Sequence, residues 1–184
     1  MWLMKSEPDV YSIDDLKRDR KTMWDGVRNY QARNYMRSMA LGDQILYYHS
    51  NCEVPGVVGL AKVVRLAYPD PTQFDPNDSH FDPGSKRDDP RWSLVDVGFV
   101  KKFRRTVSLA ELREHADQLD DFPLIRTGNR LSVMPVSDAQ FHLVVGLAGP
   151  QAPATAARDR FRKNVLRVRC LFLGFSMGFF FGPI

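Results

Sequence analysis

Three short segments of this chain concentrate side chains able to hold a flat polar molecule. Lys5-Ser6-Glu7 sets a cation, a hydroxyl and a carboxylate side by side. Trp24 is followed by Arg28, Asn29, Arg33 and Asn34, and the run Tyr47-Tyr48-His49-Ser50 supplies rings, an imidazole and a hydroxyl. Trp24, one of the two tyrosines and Trp92 could stack on a planar ring. Ser6, Glu7, Asn29, Asn34, His49 and Ser50 offer donors and acceptors for its edge. Lys5, Arg28, Arg33 and Arg91 are cations suited to anionic oxygens. Proton transfer is the other chemistry within reach, with Lys5, Glu7 and His49 as an acid–base set. No metal-ligand spacing, nucleophile elbow or phosphate-cradling glycine loop accompanies that set, and His80, His115 and His142 are scattered. The residues argue for holding a molecule, with no catalytic residue, metal or cofactor expected.

These groups must be positioned by strands and short helices. Trp2 to Met4 reads as an apolar strand that Pro8 prevents from continuing. Ser12 ahead of Ile13, Asp14 and Asp15 has the hydroxyl and early acids of a helix start. Thr22 to Asp25 reads as a brief extended piece, and the spacing of Tyr30, Asn34, Tyr35 and Met39 predicts a helix over 30–39. Gln44 to His49 and Val57 to Leu66 read as two antiparallel strands. Because Tyr47 and Tyr48 are neighbours in a strand, they face opposite sides, and spacing alone does not choose between them. Five prolines from Pro69 to Pro90 argue for a long irregular loop over 68–90, of the kind that often binds ligands. Trp92 to Arg105 resumes strand character, Leu109 to His115 fits a helix capped by Ser108, and Pro135 to Leu147 reads as a final helix. Strands interrupted by short helices point to an α+β domain.

The net charge of +4 invites a polyanionic partner, but the charge is unevenly placed. Six basic residues and one acidic residue follow Gln151, so the remainder holds twenty basic against twenty-one acidic residues. A nearly neutral body binds a phosphate backbone weakly unless a few cations are placed for it. The stretch after Ala148 begins as a linker, turns basic, and ends in an apolar run from Cys170 that is shorter than the ~20 residues a spanning helix needs. Residues 148–184 are therefore expected to be a linker and a basic, apolar tail. Attachment to a membrane surface through that tail is the lesser expectation. Two cysteines, Cys52 and Cys170, are too few for a disulfide framework, and a reducing cytoplasm is the expected compartment.

Ordered segments across residues 1–147 resemble the EVE domain family. They are Met1 to Pro8, Trp24 to Asn34, Tyr47 to Ser50, Pro55 to Gly59, Asp89 to Trp92 and Leu131 to Val136. Each is short, but their common order and spacing make the set specific. The resemblance implies a PUA-like fold, a strongly bent β-barrel surrounded by short helices, and it selects Tyr48 over Tyr47. It also implies a partner: nucleic acid carrying a modified base, such as methylated or hydroxymethylated cytosine in DNA or a modified RNA base. On that reading the base pocket comprises Ser6, Glu7, Trp24, Asn29, Asn34, Tyr48, His49, Ser50 and Trp92, and Lys5, Arg28, Arg33 and Arg91 meet the backbone. A small enzyme acting on modified nucleosides and a protein-interaction module working through the tail are the alternatives.

Overall fold

Successive strand residues point to opposite sides of a sheet, and the central strands of this chain are apolar at both odd and even positions. They can be satisfied only by a core on each side. The computed structural model describes residues 1–149 and shows that arrangement. In chain order the elements are β1 (Trp2–Ser6), α1 (Ile13–Asp19), β2 (Lys21–Met23), α2 (Tyr30–Arg37), β3 (Gln44–His49), β4 (Gly56–Pro69), β5 (Ser93–Ser108), α3 (Leu109–Glu114), β6 (Val133–Pro135) and α4 (Asp138–Leu147). The six strands form one sheet in the order β2-β5-β4-β3-β1-β6. All neighbours are antiparallel except β1 and β3, which run parallel with Trp2 opposite Ile45 and Ser6 opposite His49.

Adjacent residues divide between the two cores. Met4, Ile45, Tyr47, Val58 and Val133 pack on one side with residues of α1 and α2. Their neighbours Leu3, Leu46, Tyr48, Val57 and Met134 pack on the other with Leu112 of α3 and Phe141 and Val144 of α4. Irregularities in the β4–β5 pairing bend the long hairpin. Helix α2 contacts both β5 and β6, which lie four places apart in the sheet order. Strands spaced about 4.8 Å apart in a flat sheet would hold them too far apart for one helix. The sheet is therefore curled around α2, as a bent PUA-like barrel requires.

Local chemistry sets the helix starts. The Ser12 hydroxyl accepts the Asp15 N–H while the Asp15 carboxylate accepts the Ser12 N–H, and Ser137 and Gln140 repeat the exchange at α4. Pro135 lies in β6, so the last helix starts at Asp138, three residues later than its sequence suggested. Among the described residues no helix is long and apolar enough to cross a membrane. The linker and tail expectations from residue 150 onward lie outside the described residues.

Candidate nucleic-acid interface

The end of β1, the turn after it, the segment from β2 to α2 and the β4–β5 loop enclose a cleft of about 850 Å³. Lys5, Ser6 and Glu7 line it together with Trp24, Asp25 and Gly26. Ring faces and polar edges are thus available together in a space of ligand size.

Trp24 is 8% exposed and stands edge-to-face on Tyr47 at 5.4 Å, so its ring is fixed by the core behind it. Burial drives the Tyr47 phenol pKa upward, and its O–H donates to the Tyr11 carbonyl at 2.9 Å. Asn29 caps a helix. Its Oδ1 accepts the N–H groups of Gln31 and Ala32 at 2.9 and 3.0 Å, capping α2 at the cleft wall. Glu7 accepts the Asn51 amide at 2.6 Å, and the Ser6 hydroxyl donates to the Tyr11 carbonyl at 2.8 Å. Burial lowers the Lys5 pKa, and its ammonium lies 5.9 Å from the Tyr48 ring centre.

Asp25 is a perturbed carboxyl of the cleft. Solvent reaches it, yet the concave wall around it desolvates the group, and the nearby charge of Asp70 adds repulsion, so its pKa is raised. A carboxyl poised in this way can accept a proton more readily than an ordinary aspartate. Above Gly26 lies the His80 ring. A Cβ at Gly26 would approach it to 2.9 Å, and Gly26 has φ +73°, so both space and backbone favour glycine there.

The loop that brings His80 to the cleft is tied down by buried polar groups. The fully buried Asp70 carboxylate accepts from the Gly26 N–H at 3.0 Å, Arg28 at 2.8 Å and both donors of Thr72 at 2.9 and 2.6 Å. Arg28 also donates to the His80 carbonyl at 2.7 Å. Fully buried Gln73 donates to the carbonyls of Asp70 and Trp92 and accepts from the Trp92 N–H and the Ser85 hydroxyl. Asp82 accepts from the Trp92 indole at 2.7 Å and from Arg91 at 2.9 Å.

Of the residues proposed from sequence, Lys5, Ser6, Glu7, Trp24, Arg28 and Asn29 line the cleft. The others lie elsewhere. Tyr48 points into the second core, where burial pushes its pKa up to about 12. His49 accepts the Ile13 N–H at 3.1 Å and serves the start of α1; burial holds its pKa down, as an accepting neutral imidazole requires. Ser50 donates its N–H to the Ser6 carbonyl at 2.9 Å and braces the strand end. Asn34 is occupied by the Arg33 guanidinium at 3.1 and 2.7 Å on the outer face of α2. Trp92 is buried, packed against Tyr30 at 4.9 Å with Arg28 and Arg33 over its ring. Arg28 itself spends most of its donors on the loop. Arg33 and Arg91 line a separate recess. Sequence reasoning missed Tyr11, Asp25, His80 and Ser132 as cleft residues. Asp25 and Ser132 stood inside segments already singled out, whereas nothing local marked His80. Among the described residues no cluster of histidine, cysteine and acidic side chains is placed to hold a metal ion.

A curled mixed sheet closed by short helices, with a polar-edged cleft at its rim, defines an α+β domain of the PUA-like class. Within that class the chain belongs to the EVE domain family, whose model matches residues 1–147. It is 48% identical to human thymocyte nuclear protein 1, with 79% of this chain and 72% of that protein covered. Among solved structures, a Pseudomonas syringae protein is 48% identical with a TM-score of 0.78, covering 80% of this chain and 99% of its own. The human THYN1 protein, solved in complex with DNA containing 5-methylcytosine, is 45% identical with a TM-score of 0.77, covering 82% and 98%.

Proposed function

We propose that this chain binds nucleic acid carrying a modified base and holds that base in the cleft, with 5-methylcytosine or 5-hydroxymethylcytosine in DNA as the favoured ligands. The observation that carries this reading is the placing of a core-braced Trp24 beside Asp25 and Asn29 in one cleft. A base leaving its helix must regain stacking and edge hydrogen bonds. Trp24 supplies ring contact, the Asp25 carboxyl suits the exocyclic amine of cytosine, and the Asn29 amide supplies further donors. The 5-methylcytosine DNA bound by the related human protein supports the same ligand class here.

Binding without a reaction fits the geometry better than catalysis. His49 is engaged by Ile13 outside the cleft and Glu7 is engaged by Asn51, so Lys5, Glu7 and His49 do not assemble as an acid–base set.

The test is titration of the full chain with short oligonucleotides bearing cytosine, 5-methylcytosine, 5-hydroxymethylcytosine or N6-methyladenine. Asp25→Asn and Trp24→Ala serve as variants. One modified cytosine is expected to bind at least tenfold more tightly than cytosine, Trp24→Ala to weaken binding of every base, and Asp25→Asn to weaken all three cytosine forms without unfolding the protein. Equal affinity for all four, or turnover of a modified nucleoside, would sink the reading.

A further inference from the structure

A second polar hollow of about 350 Å³ lies between α2 and the far side of the β4–β5 loop. Arg33, Arg37, Lys86 and Arg91 line it, with Asp89 as the one carboxylate among its lining residues. Arg91 is paired with Asp82 at 2.9 Å, but Arg33, Arg37 and Lys86 enter no ion pair among the described residues. Arg33 and Arg37 are one helical turn apart and close enough to repel. Burial lowers the Arg33 pKa, and the Arg37 charge lowers it further. Like charges gathered on a nearly neutral body cost stability unless an anion compensates them.

These arginines also hold backbone. Arg33 donates to the Arg91 carbonyl at 2.9 Å, and Arg37 donates to Ser93 Oγ at 2.9 Å and to the carbonyls of Pro90 and Arg91 at 3.3 and 3.4 Å. That role leaves donors over. Neither N–H of Arg37 Nη1 is engaged among the described residues, and Lys86 makes no hydrogen bond there.

The hollow is coupled to the base cleft through one ring. Arg28, which lines the cleft, has its guanidinium carbon 5.6 Å from the Trp92 ring centre, and Arg33, which lines the hollow, has its own at 6.0 Å. The two guanidinium carbons therefore lie within about 12 Å, the rise of three to four nucleotides at ~3.4 Å each on one strand of duplex DNA.

We propose that this hollow is a phosphodiester site, in which Arg37 and Lys86, with Arg33, grip the backbone of the same strand whose base occupies the cleft. The proposal rests on the base-binding reading and extends it: the ligand is a polynucleotide, and a free nucleoside fills only half of the site. Arg37 and Lys86 supply affinity that is indifferent to the modification, while the cleft supplies the discrimination.

The experiment measures affinity of the full chain for a duplex with one 5-methylcytosine and for its unmodified copy, from about 50 to 200 mM salt. Wild type, Lys86→Gln, Arg37→Gln and Arg37→Lys are compared. On both duplexes each neutralised variant is expected to reduce the slope of log affinity against log salt by about 0.9 per lost phosphate contact. Arg37→Lys is expected to keep the wild-type slope, and the preference for 5-methylcytosine to stay unchanged throughout. Lys86→Gln breaks no internal hydrogen bond, so it carries the test even if Arg37→Gln fails to fold. Wild-type slopes in Lys86→Gln and Arg37→Gln overturn the phosphate site. So does loss of binding to phosphatidylserine vesicles with duplex binding intact, which assigns the hollow to a membrane surface. A wild-type preference of one overturns the base reading instead, while the slopes still decide the hollow.

Discussion

Asp25 and Asp70 are neighbours in space with opposite electrostatic fates. In Asp70, burial works to raise the pKa, but bonds from Arg28 and Thr72 outweigh it and hold the carboxyl below the ordinary range. Its stabilising contribution is therefore present above the unfolded value near 3.9 and is lost as pH falls through the lower folded value. Asp70→Asn leaves the largely buried Arg28 charge without its partner, and a loss of about 3–5 kcal/mol is expected from denaturant midpoints at pH 7. That gap should narrow in acid. Asp25 behaves in reverse. Its folded pKa is raised, so ionisation costs stability as pH rises through the window above about 3.9. Asp25→Asn should melt at or above the wild-type temperature at pH 7, with the difference vanishing in acid, while binding of all three cytosine forms weakens. Stability moving one way and binding the other identifies a side chain kept for its ligand.

Asn29 shows how an element can carry a site. Asn29→Ala removes the cap of α2 and should cost about 1 kcal/mol. Asn29→Asp keeps the accepting oxygen and should retain stability in thermal melts while losing the amide donors offered to a ligand. This helix was legible from its spacing, as were α1 and α3 from their capping residues, because each signal lies within one or two turns of chain. The last helix was misplaced because Pro135 suits a helix start as well as the end of a three-residue edge strand. Only pairing with Trp2 to Met4 decides between them. The cleft was half legible for the same reason. Lys5 to Glu7 and Trp24 to Asn29 sit in recognisable segments, but His80 reaches Gly26 across more than fifty residues through bonds that no local pattern contains. The family resemblance selects Tyr48 over Tyr47 with no local criterion behind it, and the strand's pleat sends Tyr48 into the second core. Gly59 is a further element-scale constraint: a Cβ there would collide with the Lys101 carbonyl, so Gly59→Ala should destabilise the β4–β5 pairing.

At the scale of the whole molecule, two cores share one sheet, and adjacent residues of β1 and β3 belong to different cores. Neither core can melt while the strands stay in place. Leu46→Ala in one core and Ile45→Ala in the other should each cost about 2–5 kcal/mol and shift a single transition. Separate transitions for the two variants in tryptophan fluorescence and far-ultraviolet dichroism would contradict this. The sequence foretold an α+β domain and its apolar strands, but not the parallel β1–β3 pairing or the curl around α2, which depend on contacts distant in the chain. The clamp of Asp70, Gln73 and Asp82 gives the molecule a further property. It fixes the excursion of residues 70–92 with amides, carboxylates and guanidinium groups, and no sulfur takes part in these bonds. Thiol reductants therefore have no handle on these ties, and the conformational entropy of the loop is surrendered once, at folding, instead of at each encounter with a ligand.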